Sequence, residues 1–277
     1  MRPRSIVFDL FGDYLRYRGG EIRLRSLSTL LECFGVADST SRVVMTRLRR
    51  EGWFDTRPVG RETVYRLTLR GWHLLDEGRS RIFDRMRDPW DGQWHMVIYA
   101  VPESDRAVRE DLRKELAWLG FGPLASSTWI SPHDRLAEVE QKFADHPTVR
   151  LDLLRCRSAG LLPDREMATR CWDLDGLNRD YQELLRRYRP RLAEYRTGRI
   201  EPRQALIDRM QLIYDYRKFP FRDPDLPVEL LPGGWRGRDA HEMFLSVHEL
   251  LGQAAGRFVD EVVPADGELA GGLVSQR

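Results

Sequence analysis

Cysteine is scarce in this chain, with three residues (Cys33, Cys156 and Cys171) among 277. They lie far apart and form no C-x-x-C pair, so neither a disulfide scaffold nor a zinc site is indicated. Cys33 falls in an apolar helical stretch, where a buried, inert thiol is expected. Lysine occurs only at Lys114, Lys142 and Lys218, so nearly all of the 45 basic residues are arginine. Long apolar runs are missing too. Residues 117–133, within the longest stretch without a charge, contain Gly120, Gly122, Pro123 and Pro132 and read as loop and strand, not as a membrane span. Asp9 and Asp13 interrupt any signal-peptide core, so a cytoplasmic protein is expected. A Walker loop, a dinucleotide glycine fingerprint, a G-x-S-x-G elbow and an H-E-x-x-H helix are all absent. We therefore expect no enzyme, no cofactor and no bound metal. His241-Glu242 and His248-Glu249 recur seven apart on one helix, but such pairs are more often surface or core decoration than ligands. His95, in an apolar strand, reads as a core histidine, and His133 as a turn residue.

What is present is a globular composition, 42% hydrophobic and 32% charged, long enough for two or three small domains. The net charge is only +2, but residues 1–88 hold 18 arginines against 12 acidic residues, so the basic excess belongs to the first third. That suits a polyanionic partner for the first domain alone. The stretch from residue 38 to 68 explains why. Asp38 and Ser39 offer a helix start, and Gly52 a helix stop in the left-handed region. Val44 and Leu48, four apart, are expected to face inward. Arg42, Thr46 and Arg49 share another face, with Ser39, Thr40 and Arg47 nearby. From residue 53 the period changes to two, and Pro58-Val59-Gly60-Arg61 is turn chemistry, so residues 53–67 read as a hairpin. A short basic helix followed at once by a basic hairpin is the recognition helix and wing of a winged helix-turn-helix. The helix fits a major groove, and Arg57 and Arg61 can lie on phosphates or in a minor groove.

Taken in order, residues 5–16 form an apolar helix broken by Gly19-Gly20. Residues 21–24 suit a short strand pairing with the wing, and residues 26–34 a helix before the Gly35-Val36-Ala37 turn. A linking helix spans 70–86, and a boundary falls at residues 88–92. Residues 93–157 show a strand at 94–101, a helix at 105–119, a strand at 124–130, a helix at 135–146 and a strand at 149–154. One more strand could follow near 156–160. This suggests a ferredoxin-like domain. From residue 166 the pattern is helical: 175–195 with a kink at Pro190, then 201–217, a proline-rich irregular stretch, and 239–263. Residues after Pro264 read as disordered. The fold class is α+β, with a winged helix-turn-helix domain at 1–88, a ferredoxin-like domain at 89–165 and a mainly helical domain at 166–277.

Several local strings match one family in order and along nearly the whole chain. They are Leu10-Phe11-Gly12-Asp13-Tyr14, Arg42 with Arg47-Leu48, Glu51-Gly52-Trp53, and Tyr65-Arg66-Leu67-Thr68 with Gly71. Later come Asp223-Pro224-Asp225-Leu226-Pro227, Leu230-Leu231-Pro232 and Trp235-Arg236-Gly237. The chain resembles the PaaX family, the GntR-like winged-helix repressors of phenylacetic acid catabolism. The resemblance implies a dimeric repressor of double-stranded operator DNA, released by an aryl-CoA thioester, phenylacetyl-CoA in the best-known members. It also implies a middle domain like the small CRISPR-associated nucleases. Those carry a metal-binding aspartate where this chain reads Tyr99-Ala100-Val101-Pro102, so nuclease activity is not carried over and the middle domain is expected to serve dimerisation. A nuclease would have to use Glu103, Asp105 and Asp134. An aryl-CoA needs an apolar slot and cations. Tyr216, Phe221 and Trp235, beside Arg217, Lys218 and Arg222, supply both and are the candidate effector residues, although the same aromatics could form a core between domains. A regulator of another pathway would share all these features.

Overall fold

The computed structural model describes residues 1–84 and 89–263, and the expectations for residues 85–88 and 264–277 lie outside them. The chain packs as two compact units that do not follow sequence order. The first takes residues 1–84, 184–217 and the segment from 239 on; the second takes the middle of the chain to residue 183, together with 218–238.

The first unit opens with α1 (Pro3–Asp13), which buries Ile6, Val7, Leu10 and Phe11. A 3-10 turn at Leu15–Arg18 follows, then Gly19 and Gly20 at positive φ. β1 (Glu21–Arg23), α2 (Leu24–Glu32) and α3 (Asp38–Arg50) lead to the hairpin β2 (Phe54–Val59) and β3 (Glu62–Leu67), then to α4 (Leu69–Phe83). The three strands are antiparallel in the order β1-β3-β2. The short strand before α2 therefore pairs with the wing, as the sequence suggested. The linking helix ends at Phe83, earlier than expected. Cys33 is half-buried at the end of α2, not in a core.

The second unit carries β4 (Trp94–Ala100), α5 (Arg106–Trp118), β5 (Gly122–Ala125), β6 (Thr128–Ser131), α6 (Leu136–Phe143), β7 (Arg150–Cys156) and α7 (Leu161–Cys171). Its sheet order is β5-β6-β4-β7, and every pairing is antiparallel. This β-α-β-β-α-β order is the ferredoxin-like arrangement. The fourth strand does not lie near 156–160. It comes from the single strand expected at 124–130, which folds back on itself at Ser126-Ser127. Both faces of the sheet are covered, which explains why β4 reads as continuously apolar. Val97 and Tyr99 face Leu112, Leu116, Val139 and Phe143 of α5 and α6. Trp94 and Met96 face Ala168, Cys171, Leu226 and Leu230 on the other side. The buried indole N–H of Trp94 donates to Asp164 at 2.7 Å.

α8 (Leu174–Tyr188) begins in the second unit and ends in the first. Pro190 breaks it into a 3-10 turn before α9 (Leu192–Arg196), as expected of a residue lacking the N–H. α10 (Pro202–Tyr216) is capped by Glu201, whose carboxylate accepts from the amides of Arg203 and Gln204. α11 (Gly237–Val262), from Asp239 on, belongs to the first unit. Phe83 of α4 packs on Phe244 and His248 of α11, with ring centroids 5.4 and 5.0 Å apart.

Candidate nucleic-acid interface

α3 starts after the tight turn at Gly35 (φ 74), and its last turn is closed by Gly52 (φ 78). The N-cap is Ala37 with no side-chain cap; Asp38 is the first helical residue and pairs with Arg42 instead. Ser41, Met45 and Leu48 are the buried face. Val44 is half-buried, so Met45 takes the core position assigned to it. Ser39, Thr40, Arg42, Thr46, Arg47 and Arg49 are all exposed. Val43 lies among them with 69% of its surface exposed, an outward apolar group that sequence reading overlooked. Its signal was the i, i+3 spacing to Thr46.

The signature residues around α3 hold it in place. Glu51 receives hydrogen bonds from Arg4, Arg47 and the Trp53 indole, which together hold its carboxyl down at about 2. Arg70 stacks over Trp53 at 4.0 Å. Thr68 caps α4 by accepting from the Gly71 amide and also donates to the carbonyl of Gly52. Gly71 has no room for a side chain, since a Cβ there would sit 2.7 Å from the Trp53 carbonyl and from Leu67.

The guanidinium groups divide into two sets. Arg42 pairs with Asp38 at 2.8 Å and Arg47 with Glu51 at 2.9 Å, both i, i+4. Arg57 reaches Glu21 on β1 through two contacts, 3.1 and 3.4 Å. These three, chosen as outward cations, are thus folded onto the protein's own acids. The pairs on α3 are solvent-exposed and screened by water and salt, so a phosphate can replace either acid at little cost. Arg49 donates to the Thr56 hydroxyl at 3.5 Å and makes no ion pair among the described residues. Arg50, Arg61 and Arg66 make no ion pair among the described residues. Arg61 follows Gly60, whose φ of 59 turns the wing tip.

Against known proteins, three family models tile the chain: "PaaX-like protein" over residues 2–71, "PaaX protein central Cas2-like domain" over 87–168 and "PaaX-like protein C-terminal domain" over 172–261. A curated relative, the transcriptional repressor PaaX of Escherichia coli (strain K12), is 32% identical over 265 residues, 93% of this chain and 83% of that protein. The chain belongs to the PaaX family. A solved structure, the uncharacterized protein Rv0674 from Mycobacterium tuberculosis, is 23% identical with a TM-score of 0.57, covering 86% of this chain and 89% of that one; it supports the fold.

The PaaX signature Asp223-Pro224-Asp225-Leu226-Pro227 builds a locked turn in the second unit. Asp225 adopts φ 53, unusual for a non-glycine residue. Asp223 accepts from the Tyr181 hydroxyl at 2.6 Å and from the Asp225 amide at 2.9 Å, while His133 Nε2 donates to the Asp225 carbonyl at 2.9 Å. Trp235 packs edge-on against Tyr181 at 5.6 Å.

The candidate effector residues fall in both units, and no single described site holds them all. Tyr216 is interior to the first unit, stacked on Phe244 at 4.1 Å with its hydroxyl on His241 Nδ1 at 2.8 Å. Both ring and hydroxyl are therefore engaged. Arg217 donates to Asp9 at 2.9 Å. In the second unit Lys218 is exposed, Arg222 pairs with Asp180 at 2.6 Å, and Phe221, 47% exposed, stacks on Trp118 with centroids 5.5 Å apart. Just after β4, the carbonyls of Val101 and Pro102 accept from Arg109. Asp134 is bound to Arg155 at 2.8 Å and faces His95 at 3.7 Å. Among the described residues no three acidic, histidine or cysteine side chains converge on a metal-sized site, and no helix is long and apolar enough to cross a membrane.

Sequence reading missed a buried ionic joint inside the first unit. Asp13 of α1 accepts from Arg209 Nε of α10 at 2.7 Å and faces His248 Nε2 of α11 at 2.7 Å. Burial alone would raise Asp13; the hydrogen bond and charge of His248, with Arg209, outweigh it and hold the carboxyl at about 2. Burial pushes Asp9 up to about 7 against the pull of Arg217, and the neighbouring Asp13 charge adds to the rise. Asp9 and Asp13, one turn apart on the apolar face of α1, were the available signal, because a charge there requires a buried partner.

Proposed function

We propose that this PaaX-family chain is a cytoplasmic transcriptional repressor that grips double-stranded operator DNA through α3 and the β2–β3 wing and controls phenylacetate-type catabolism. The observation that carries this reading is the outward face of α3, where hydroxyls and guanidinium groups surround a single apolar side chain, beside a basic hairpin. Arg42, Thr46 and Arg49 approach base edges or flanking phosphates, Ser39, Thr40 and Arg47 the flanking backbone, and Arg57 and Arg61 the phosphates at the wing. Val43 suits a thymine methyl. The chain acts as a homodimer, placing two copies of α3 about 34 Å apart, or a multiple, on a near-palindromic site. An aryl-CoA thioester such as phenylacetyl-CoA releases it. The exposed Phe221–Trp118 ring pair beside Lys218 and Arg222, with Trp235, supplies the apolar and cationic groups for that ligand in the second unit, while Arg217 acts through Asp9 in the first.

The test is a mobility-shift titration with the promoter fragment of a phenylacetate operon, with and without phenylacetyl-CoA. A shifted band that phenylacetyl-CoA dissolves supports the reading. Equal affinity for the promoter and for random duplex removes the repressor assignment, and a complex indifferent to aryl-CoA removes the effector.

A further inference from the structure

An open cleft of about 570 Å³ lies between the last turn of α3 and the base of the hairpin, lined by Arg49, Arg50, Phe54, Asp55, Thr56 and Arg66. From this cleft we infer that α3 and the hairpin together build a seat for one DNA phosphodiester, gripped by Arg50 and Arg66 with Arg49 at its edge. The inference rests on the DNA-binding reading above and adds two residues to it. Five observations converge. Three of the six lining residues are arginines, and they come from two elements, so the cleft collects charge that no single element shows. Arg50 and Arg66 are exposed and make no ion pair among the described residues, unlike Arg42, Arg47 and Arg57. Their charge is available without breaking a contact. The Thr56 hydroxyl, already within 3.5 Å of Arg49, adds a neutral donor. The one opposing carboxylate, Asp55, lies directly across the ladder from Arg66 yet forms no ion pair with it, so the cleft keeps a net positive charge. Phe54 is 1% exposed and forms a rigid floor with Phe8 and Phe11 behind it.

A phosphodiester is the ligand this chemistry fits. Guanidinium forks match its two free oxygens, and an open cleft admits a group that stays attached to a chain on both sides. The electrostatic footprint therefore shifts from the Glu21-bound Arg57 toward the junction of helix and hairpin. A backbone contact fixes how α3 enters the groove and carries no sequence information.

The experiment measures binding of a labelled random-sequence duplex to the full chain across a range of salt, so no operator need be known. Each phosphate contact contributes about 0.9 to the slope of log affinity against log salt. Arg66→Ala is expected to lower the slope by about that amount and to weaken binding roughly five-fold near physiological salt, with Arg50→Ala similar and the double variant about twice the slope change. Arg66→Lys should restore most of it, which a merely structural role for Arg66 would not. Unchanged slopes in Arg50→Ala and Arg66→Ala, with wild type binding normally, overturn the seat and leave the DNA-binding reading standing. A wild-type chain showing no salt-dependent binding overturns both.

Discussion

Substituting Asp13 by asparagine tests the buried ionic joint that ties α1 to the C-terminal helices within the first unit. The change keeps size and shape and removes one charge. Asp13 and Arg209 side chains are 8% and 11% exposed, so the guanidinium would be left with an amide and the His248 carbonyl, at 2.8 Å, in place of a carboxylate. Breaking a buried pair from one side costs about 3–5 kcal/mol, because the surviving charge stays desolvated. For a chain of this size that is a fall of roughly 10 °C in melting temperature. Replacing both partners by apolar residues of similar volume, Asp13→Leu with Arg209→Met, removes the stranded charge, and most of the loss should return. Urea titrations followed by circular dichroism on Asp13→Leu, Arg209→Met and their combination give the coupling directly. A loss below about 1 kcal/mol in Asp13→Asn, as an exposed pair would show, or a double variant no better than the sum of the singles, would refute the reasoning.

Other outcomes follow from the same geometry. Asp9 is raised and Asp13 lowered relative to the ordinary aspartate value near 3.9. Between about pH 4 and 7 the folded chain holds a proton on Asp9 that the unfolded chain lacks, so Asp9 makes stability fall as pH rises through that window; Asp9→Asn should flatten that fall in melts at several pH values. Asp13 contributes stability above pH 4 that is lost as pH falls toward 2, and Asp13→Asn should remove that acid limb. Asp164→Ala leaves the buried Trp94 indole N–H without an acceptor and should cost about 1–3 kcal/mol in chemical denaturation. Arg42→Ala should weaken specific DNA binding by about 1–3 kcal/mol while leaving random-sequence affinity nearly unchanged, as a lost base contact does. Arg222→Ala should weaken phenylacetyl-CoA binding in calorimetric titration; unchanged affinity removes Arg222 from the effector site.

The parts of the fold legible in the sequence were those governed by local chemistry. Gly52 announces the end of α3, the change of period after it announces the hairpin, and Pro190 the break after α8. A motif spread over two elements was harder to read. The ferredoxin-like strand count depended on noticing that Ser126-Ser127 turns within a single apolar run. Met45 looked no more buried than its neighbours, because Val43, Val44 and Met45 are all apolar and only packing chooses among them. The candidate interface was found as a basic stretch, but its charge balance was not: Glu21 and Arg57 are 36 residues apart and meet only through the sheet. Asp13 and Arg209, separated by 196 residues, are further beyond local pattern.

The most direct measurement of the central proposal is selection of bound fragments from a sheared genomic library by the full chain, compared with an Arg42→Ala, Arg49→Ala variant. The proposal predicts enrichment of a few loci sharing a near-palindromic element, lost in the variant and dispersed by phenylacetyl-CoA. Fragments recovered in the proportions of the input, by either protein, would contradict it.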